Sequence, residues 1–243
     1  MIVIPMAGLS SRFFKAGYEQ PKYMLMAHDE TLFAHAVKSF EAYFADEVFV
    51  FIVRDLYQTR AFVEQQAQLI GIKQLQIIEL DAPTRGQAET VTLGLEQLGK
   101  VNQPITIFNI DTFRPNFKMP DIQAQCDGYL EVFQGSGDNW SFAKPASASS
   151  TRVIETAEKR PISNLCSTGL YYFANSQDYL DAYYHYAALP PSQWDQGELY
   201  IAPLYNYLIA KGKAIHYHLI NRDEVIFCGV PAEYDSFKQR ALT

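Results

Sequence analysis

Residues 2–4 place a strong constraint on the architecture. Ile2, Val3 and Ile4 are apolar and β-branched, and Pro5 ends the run, so the chain starts on a strand that has to be buried. The loop behind it supplies Gly8, Ser10, Ser11, Arg12, Lys15 and Lys22. Small residues let backbone N–H groups close around an anion, and the basic side chains add charge. A loop of this composition directly after a first parallel strand is where an α/β sheet binds phosphates. A plain surface loop could hold the same cations in solvent. What favours a phosphate cradle is that strand, small residues and cations follow one another in that order.

Strand and helix go on alternating through the first half. Strands are predicted over 48–53, 75–80 and 105–110, with a short extended piece over 23–26. Thr31 is placed to cap a helix carrying Leu32, Phe33, Ala36, Val37 and Phe40 at helical spacing. A second helix over 56–70 stops at Gly71, and a third follows the loop 84–90 with Val91, Leu93, Leu95 and Leu98. Such alternation indicates an α/β fold with a mainly parallel sheet and right-handed crossovers. Beyond Pro115 the pattern loosens into shorter strands over 128–133, 140–144, 152–155 and 170–173, the last entered through a turn at Ser167, Thr168 and Gly169. Helices over 178–186 and 198–210, strands over 214–219 and 225–228 and a last helix from Ala232 complete the reading. No repeat, low-complexity tract or linker interrupts the chain, so one domain over 1–243 is expected.

Composition excludes several classes. With 243 residues, 48% of them hydrophobic, the chain can bury one large core. No apolar run is long enough to cross a bilayer, and a strand beginning at Ile2 leaves no room for a signal peptide, so a cytoplasmic location is expected. Cys126, Cys166 and Cys228 are far apart in apolar segments, which suits reduced, buried thiols and neither disulfides nor a zinc site. A net charge of −7 argues against a nucleic-acid partner. An anionic substrate on so acidic a chain requires cations concentrated at its site, as they are in the first loop. His216 and His218 share a strand face with no third ligand near them in sequence, and no G-x-S-x-G or Cys–His pairing points to hydrolysis.

Two common phosphate motifs fail on detail. A dinucleotide fingerprint needs three spaced glycines and an immediate helix, whereas Gly8 and Gly17 stand alone and Pro21 interrupts. A Walker loop needs Gly-Lys followed by Ser or Thr, which this stretch lacks. AGLSSRF followed by PKYML resembles instead the signature of the sugar-phosphate nucleotidylyltransferases, G-x-x-[ST]-R-[FLM] and then, after a spacer, P-K. Members of that family join a nucleoside triphosphate to a phosphorylated small molecule and release pyrophosphate. The resemblance implies a Rossmann-like, nucleotide-diphospho-sugar transferase-like fold, with a nucleotide-binding half over about 1–114 and an acceptor-binding half over about 115–243. It implies nucleotide contacts from Ala7, Gly8, Ser10 and Ser11, and catalytic roles for Arg12 and Lys22.

Later blocks extend the resemblance in the family's order. TRGQAET opens a helix with small residues at its entrance and resembles the G-x-A segment that contacts the nucleobase, which assigns Gln87 and Ala88 to the nucleotide. Asp111 follows the apolar run ITIFNI, so its carboxylate is expected at the carboxyl end of a buried strand, where a hard oxygen ligand suits Mg²⁺ bridging phosphates. FNIDTF resembles the family's metal-binding segment, although an Asp there could also cap a turn. ETAEKRPISNLCSTGLYYF resembles the acceptor block, giving Glu158, Lys159, Thr168 and Gly169 to the acceptor and its phosphate. Trp140 is a further acceptor candidate beside its alternative of core packing.

The second metal ligand departs from part of the family. Where the hexose-phosphate enzymes carry a late Asp, this chain has Phe227, which cannot bind metal. Compact cytidylyltransferases carry theirs earlier, and that register selects Glu224, with Asp223 adjacent. The expected enzyme is therefore a Mg²⁺-dependent nucleotidyltransferase of the compact cytidylyltransferase type. CTP is favoured over the equally compatible UTP and dTTP, and the product would serve surface or capsular polysaccharide synthesis. A homodimer is compatible with this reading. A glycosyltransferase using a nucleotide sugar and a non-catalytic nucleotide-binding relative are the alternatives. The single acid at Asp111 and the presence of Arg12 and Lys22 speak against them.

Overall fold

The computed structural model describes residues 1–99 and 102–241. Its first elements are β1 (Ile2–Met6), α1 (Ser11–Lys15), β2 (Met26–Ala27), β3 (Glu30–Thr31) and α2 (Leu32–Val37). There follow β4 (Val48–Val53), α3 (Thr59–Ile70), β5 (Gln74–Glu79), α4 (Gln87–Leu98), β6 (Ile105–Phe108) and β7 (Thr112–Phe113). The later elements are β8 (Gly128–Gln134), β9 (Ser141–Pro145), β10 (Val153–Glu158), β11 (Leu165–Phe173) and α5 (Ser176–Ala187). Last come α6 (Tyr205–Ala210), β12 (Ile215–Ile220), β13 (Ile226–Phe227) and α7 (Pro231–Gln239). The α/β class expected from sequence is the class observed. Two compact units divide the chain, and strand β1 runs through both.

Unit one comprises Met1–Val3, Thr84–Phe108 and Met119–Arg222. Ile2 and Val3 pair in parallel with Thr106 and Ile107 of β6. All nine residues of β11 are buried, and this strand runs antiparallel to β6, β8 and β9. Beyond β8 lies β12, parallel to it. Tyr205 fixes the helical side: its ring stacks on Phe173 at 4.4 Å, and its hydroxyl lies 3.0 and 2.8 Å from the carbonyl oxygens of Tyr129 and Tyr172. Burial keeps that hydroxyl protonated. Tyrosines are the long spacers of this core because their tips reach backbone acceptors that a phenylalanine would leave bare.

Unit two comprises Ile4–Pro83, Asn109–Lys118 and the chain from Asp223. β4 lies next to β1 and pairs in parallel with β5 from Val48 opposite Gln74 to Val53 opposite Glu79. The predicted cap is present, with Thr31 Oγ1 accepting from the Ala34 N–H at 3.1 Å. Gly71 ends α3 at φ 94°, in the left-handed region that glycine tolerates. Phenylalanines fill this core, Phe33 against Phe51 at 5.1 Å and Phe40 against Phe117 at 5.0 Å. The short strands β7 and β13 pair antiparallel, Phe113 opposite Ile226 and Thr112 opposite Phe227.

Several expected boundaries shift, each for a local reason. β6 stops at Phe108, and Asp111 sits in the turn leading to β7, where Thr112 N–H reaches the Asn109 carbonyl at 3.3 Å. The helix expected over 56–70 begins at Thr59, with Asp55 Oδ1 accepting from the Arg60 N–H at 3.1 Å. The extended piece expected over 23–26 is a 3₁₀ turn over Lys22–Met24 before β2. The helix expected over 198–210 survives only as α6, because the Leu199 backbone bonds outward instead, its N–H to Arg85 O at 3.0 Å and its carbonyl to Ala88 N–H at 2.9 Å. That pairing needs Gly86: at φ 152°, a Cβ built there would lie 2.4 Å from the Leu199 carbonyl oxygen. Gly86→Ala is therefore expected to lower the unfolding free energy by on the order of 2 kcal/mol through overpacking, measured by urea denaturation.

Candidate active site

Within unit two, the loop after β1 and the turn after β6 meet through one bond. Lys22 Nζ donates to Asp111 Oδ2 at 2.5 Å, with both side chains largely buried at 20% and 24% exposure. The loop is braced from inside, since Ser10 Oγ accepts from the Lys22 N–H at 3.2 Å and Ser10 itself adopts a left-handed φ of 50°. Ala7 and Ser10 are partly covered, while Gly8, Ser11, Arg12 and Lys15 are exposed. Two of the predicted catalytic and metal groups, Lys22 and Asp111, are thus in direct contact, and Arg12 stands on α1, in the same segment between β1 and Lys22.

Asp111 is held from a second side. Its carbonyl accepts from the Cys228 N–H at 2.8 Å, and a side chain at Gly229 would come within 3.1 Å of its Oδ2. The same Gly229 position lies 3.6 Å from Glu233 Oε2, which accepts from the N–H groups of Gly229 and Val230 at 2.8 and 3.2 Å. Two carboxylates therefore flank one glycine. Burial, with Glu233 and Asp111 adding to it, pushes the Cys228 thiol up to about 12, so it stays protonated and inert.

Glu224 is placed elsewhere. Residues Arg222–Glu224 form a 3₁₀ turn rather than a strand, so the alternation used to choose between Asp223 and Glu224 does not operate there. Its carboxylate lies 3.9 Å from Arg114 Nη2, and its carbonyl accepts from Arg114 Nη1 at 2.5 Å. The antiparallel register sets Cys228 beside Asp111 and carries Glu224 past Phe113 toward Arg114. Sequence reading missed Glu233, although Pro231 followed two residues later by a Glu is a helix-start pattern.

In unit one the predicted acceptor residues split into two groups. Glu158 ends β10 almost fully buried, its carboxylate accepting from the Ser141 hydroxyl and its N–H donating to Asp195 Oδ2 at 2.9 Å. Burial raises the Glu158 pKa, against the opposing pull of Ser141 and Lys159. Lys159 adopts φ 51° and turns its ammonium onto Tyr200, 2.7 Å from the hydroxyl and 4.8 Å from the ring centre. Burial opposes the Lys159 charge, but the Tyr200 hydroxyl and the carboxylates of Glu158 and Glu198 outweigh it and raise the pKa. Trp140 is tied in by backbone, its carbonyl accepting from the Lys159 N–H at 2.8 Å, and its indole packs edge-on to Phe133 at 5.1 Å. Asp195, Glu198 and Tyr200 carried no motif and were not anticipated.

Thr168 and Gly169 do not form the expected turn leading into the strand. They lie inside β11, where a bulge interrupts the register with β8 and Gly169 takes φ 90°. Thr168 donates to Glu131 Oε1 at 3.0 Å in the core. Gln87 opens α4, and Ala88 is buried with its carbonyl accepting from the Tyr179 hydroxyl at 2.6 Å.

No protein-family model and no curated protein matches the chain. Among solved structures, a nucleoside-diphosphate-sugar pyrophosphorylase from Vibrio cholerae RC9 is 66% identical over 99% of this chain and 100% of its own, at a TM-score of 0.96. The chain belongs to the nucleoside-diphosphate-sugar pyrophosphorylase family. It is a nucleotidyltransferase. A glucose-1-phosphate thymidylyltransferase described as such in Bacillus anthracis shares the fold at 17% identity, covering 98% of this chain and 93% of its own with a TM-score of 0.73. An inositol-1-phosphate CTP transferase from T. maritima does so at 14% identity over 98% and 93%, also at 0.73.

The buried carboxyl of this pyrophosphorylase gives a stability test. A carboxyl whose pKa is raised by folding binds its proton more tightly in the native state, so ionising it costs stability above the ordinary value of 4.5. Glu158→Gln keeps the size and an acceptor for Ser141. Its unfolding free energy should match that of wild type below about pH 4 and exceed it increasingly toward about pH 7, as urea titrations at both ends would show.

Proposed function

We propose that this enzyme transfers a nucleotidyl group from a nucleoside triphosphate, CTP favoured, to a sugar phosphate or similar phosphorylated small molecule, releasing pyrophosphate in the cytoplasm for surface-polysaccharide precursors. The contact between Lys22 and Asp111 carries this reading, because it joins the cationic loop to the one acid that the metal role requires. The 66% identical relative is a nucleoside-diphosphate-sugar pyrophosphorylase, which supports a sugar phosphate as acceptor here.

The residues fit Mg²⁺. That ion takes one or two carboxylates and completes its shell with water and substrate phosphates. Asp111 offers a partly exposed carboxylate, already facing a cation, and would exchange Lys22 for the metal. Glu233, its Oε2 taken by two N–H groups, would position the Gly229 strap behind Asp111. When bound, Mg²⁺ neutralises charge on the phosphates as they react.

An acceptor phosphate oxygen would attack the α-phosphorus; the new P–O bond forms as the bond to the β-phosphate oxygen breaks, and its electron pair leaves with pyrophosphate. The nucleophile is already an anion, so no general base is needed. Ser10, Ser11 and Gly8 would cradle the triphosphate, and Arg12 would clamp two of its oxygens with a planar fork. Lys22, released from Asp111, would follow the charge that develops between the α- and β-phosphates. Lys159 would take the acceptor phosphate, with Glu158 and Trp140 beside it.

Pyrophosphate release, with five triphosphates crossed against a panel of sugar phosphates, tests the reading. Lys22→Ala should lose about a hundredfold or more in turnover while remaining folded, and near-normal turnover would remove its catalytic role. Arg12→Lys should also damage turnover, whereas Lys15→Ala should mainly raise the Michaelis constant for the triphosphate. Equal effects on turnover would erase that distinction.

A further inference from the structure

Arg54 follows directly on β4, whose own residues are all apolar. It lines a small cavity in unit two, and among the lining residues it alone is charged. Ala7, Gly8 and Leu9 of the phosphate loop form one side of that cavity, and Tyr23, Leu56 and Tyr57 add apolar and aromatic surface. Arg54 Nε is buried there, and among the described residues no acceptor meets it. A buried donor left unmet is uncommon and costs stability until something supplies an acceptor.

The neighbouring carboxylates are committed elsewhere. Asp55 Oδ1 accepts from the Arg60 N–H at 3.1 Å, and Glu79 Oε1 takes the Arg60 guanidinium at 3.1 Å. Tyr23 spends its hydroxyl on Thr59 Oγ1 at 3.0 Å, so it presents only its ring. Tyr57 is steadied by stacking on Phe14 at 5.5 Å. Flat apolar walls with one planar donor suit an aromatic ring bearing acceptors on its edge. They do not suit a phosphate, which the exposed Arg12 of α1 and the partly covered Lys22 would serve.

We infer that Arg54 selects the base, and that the base is cytosine; this rests on the nucleotidyl-transfer reading above. Cytosine O2 and N3 are adjacent acceptors, which a guanidinium meets with two parallel N–H bonds. Uracil and thymine present an N3–H at the matching position, so one of the two bonds becomes a donor facing a donor.

Equilibrium binding of CTP and of UTP, each with Mg²⁺, to the full chain and to its variants is the test. Wild type should bind CTP about tenfold or more tightly than UTP, the discrimination expected of one bidentate pair. Arg54→Ala should bring the ratio close to one by losing CTP affinity while keeping UTP affinity, and Arg54→Lys should not restore it. If the alanine variant unfolds, Arg54→Met keeps the packing of the stem and serves in its place. An unchanged ratio, equal losses for both triphosphates, or a wild type that binds both alike overturns the inference while leaving nucleotidyl transfer standing. A wild type that binds neither triphosphate overturns the inference and the CTP preference proposed above together, and pyrophosphate release with the remaining triphosphates then tests nucleotidyl transfer separately.

Discussion

An ionisable group inside a buried strand loses its hydration, so such a strand carries one only where a hydrogen-bonding partner stands in for the water. β1, β4, β6 and β11 obey this constraint, and none of them contains an Asp, Glu, Lys or Arg. Charge is therefore displaced to the places where the strands stop. Arg12 and Lys22 follow β1, Arg54 follows β4, and Asp111 follows β6. Glu158 and Lys159 sit at the end of β10. β8 is the exception, since Glu131 lies fully buried within it and is met there by the Thr168 hydroxyl.

In unit two that displaced charge is balanced within the site by the pairing of Lys22 with Asp111. Lys22 and Asp111 are each mostly covered, and either alone would be a poorly solvated ion. Their mutual contact neutralises both, at the cost of occupying the carboxylate proposed for the metal. The Lys22 ammonium and the Asp111 carboxylate thus hold each other in place. Unit one solves a similar problem with hydroxyls. Glu158 rests on Ser141, Lys159 on Tyr200, and Thr168 on Glu131, so each of these three has a hydrogen-bonded partner. The many tyrosines, bulky core residues in a sequence view, act in this unit as polar-tipped spacers.

Local signals were legible in the sequence. The strand over 48–53, the Thr31 cap and the Gly71 stop depend on residues within a turn or two of each other, and each is where the pattern placed it. The first loop was read less well, since β1 runs on through Pro5 to Met6 and Ser11–Lys15 form a short helix. The family was legible even so, since AGLSSRF and PK fall within one loop and its flank. Apolar periodicity and capping chemistry are set by nearest neighbours along the chain, and no tertiary contact was needed to read them.

What the tertiary structure decided was pairing between distant segments. The antiparallel register of β7 with β13 sets Cys228 beside Asp111 and sends Glu224 to Arg114. Backbone bonds from Arg85 and Ala88 hold Leu199 extended where its own sequence suggested helix. A bulge in β11 takes Thr168 and Gly169 into the core, and Lys159 finds Tyr200 only because the chain returns to it. Sequence by itself determined which residues are apolar, where strands and caps form and which cations share the first loop. Register, bulges and partners at long range were left to the fold, because a one-residue slip costs little locally and is penalised only when the facing strand is present.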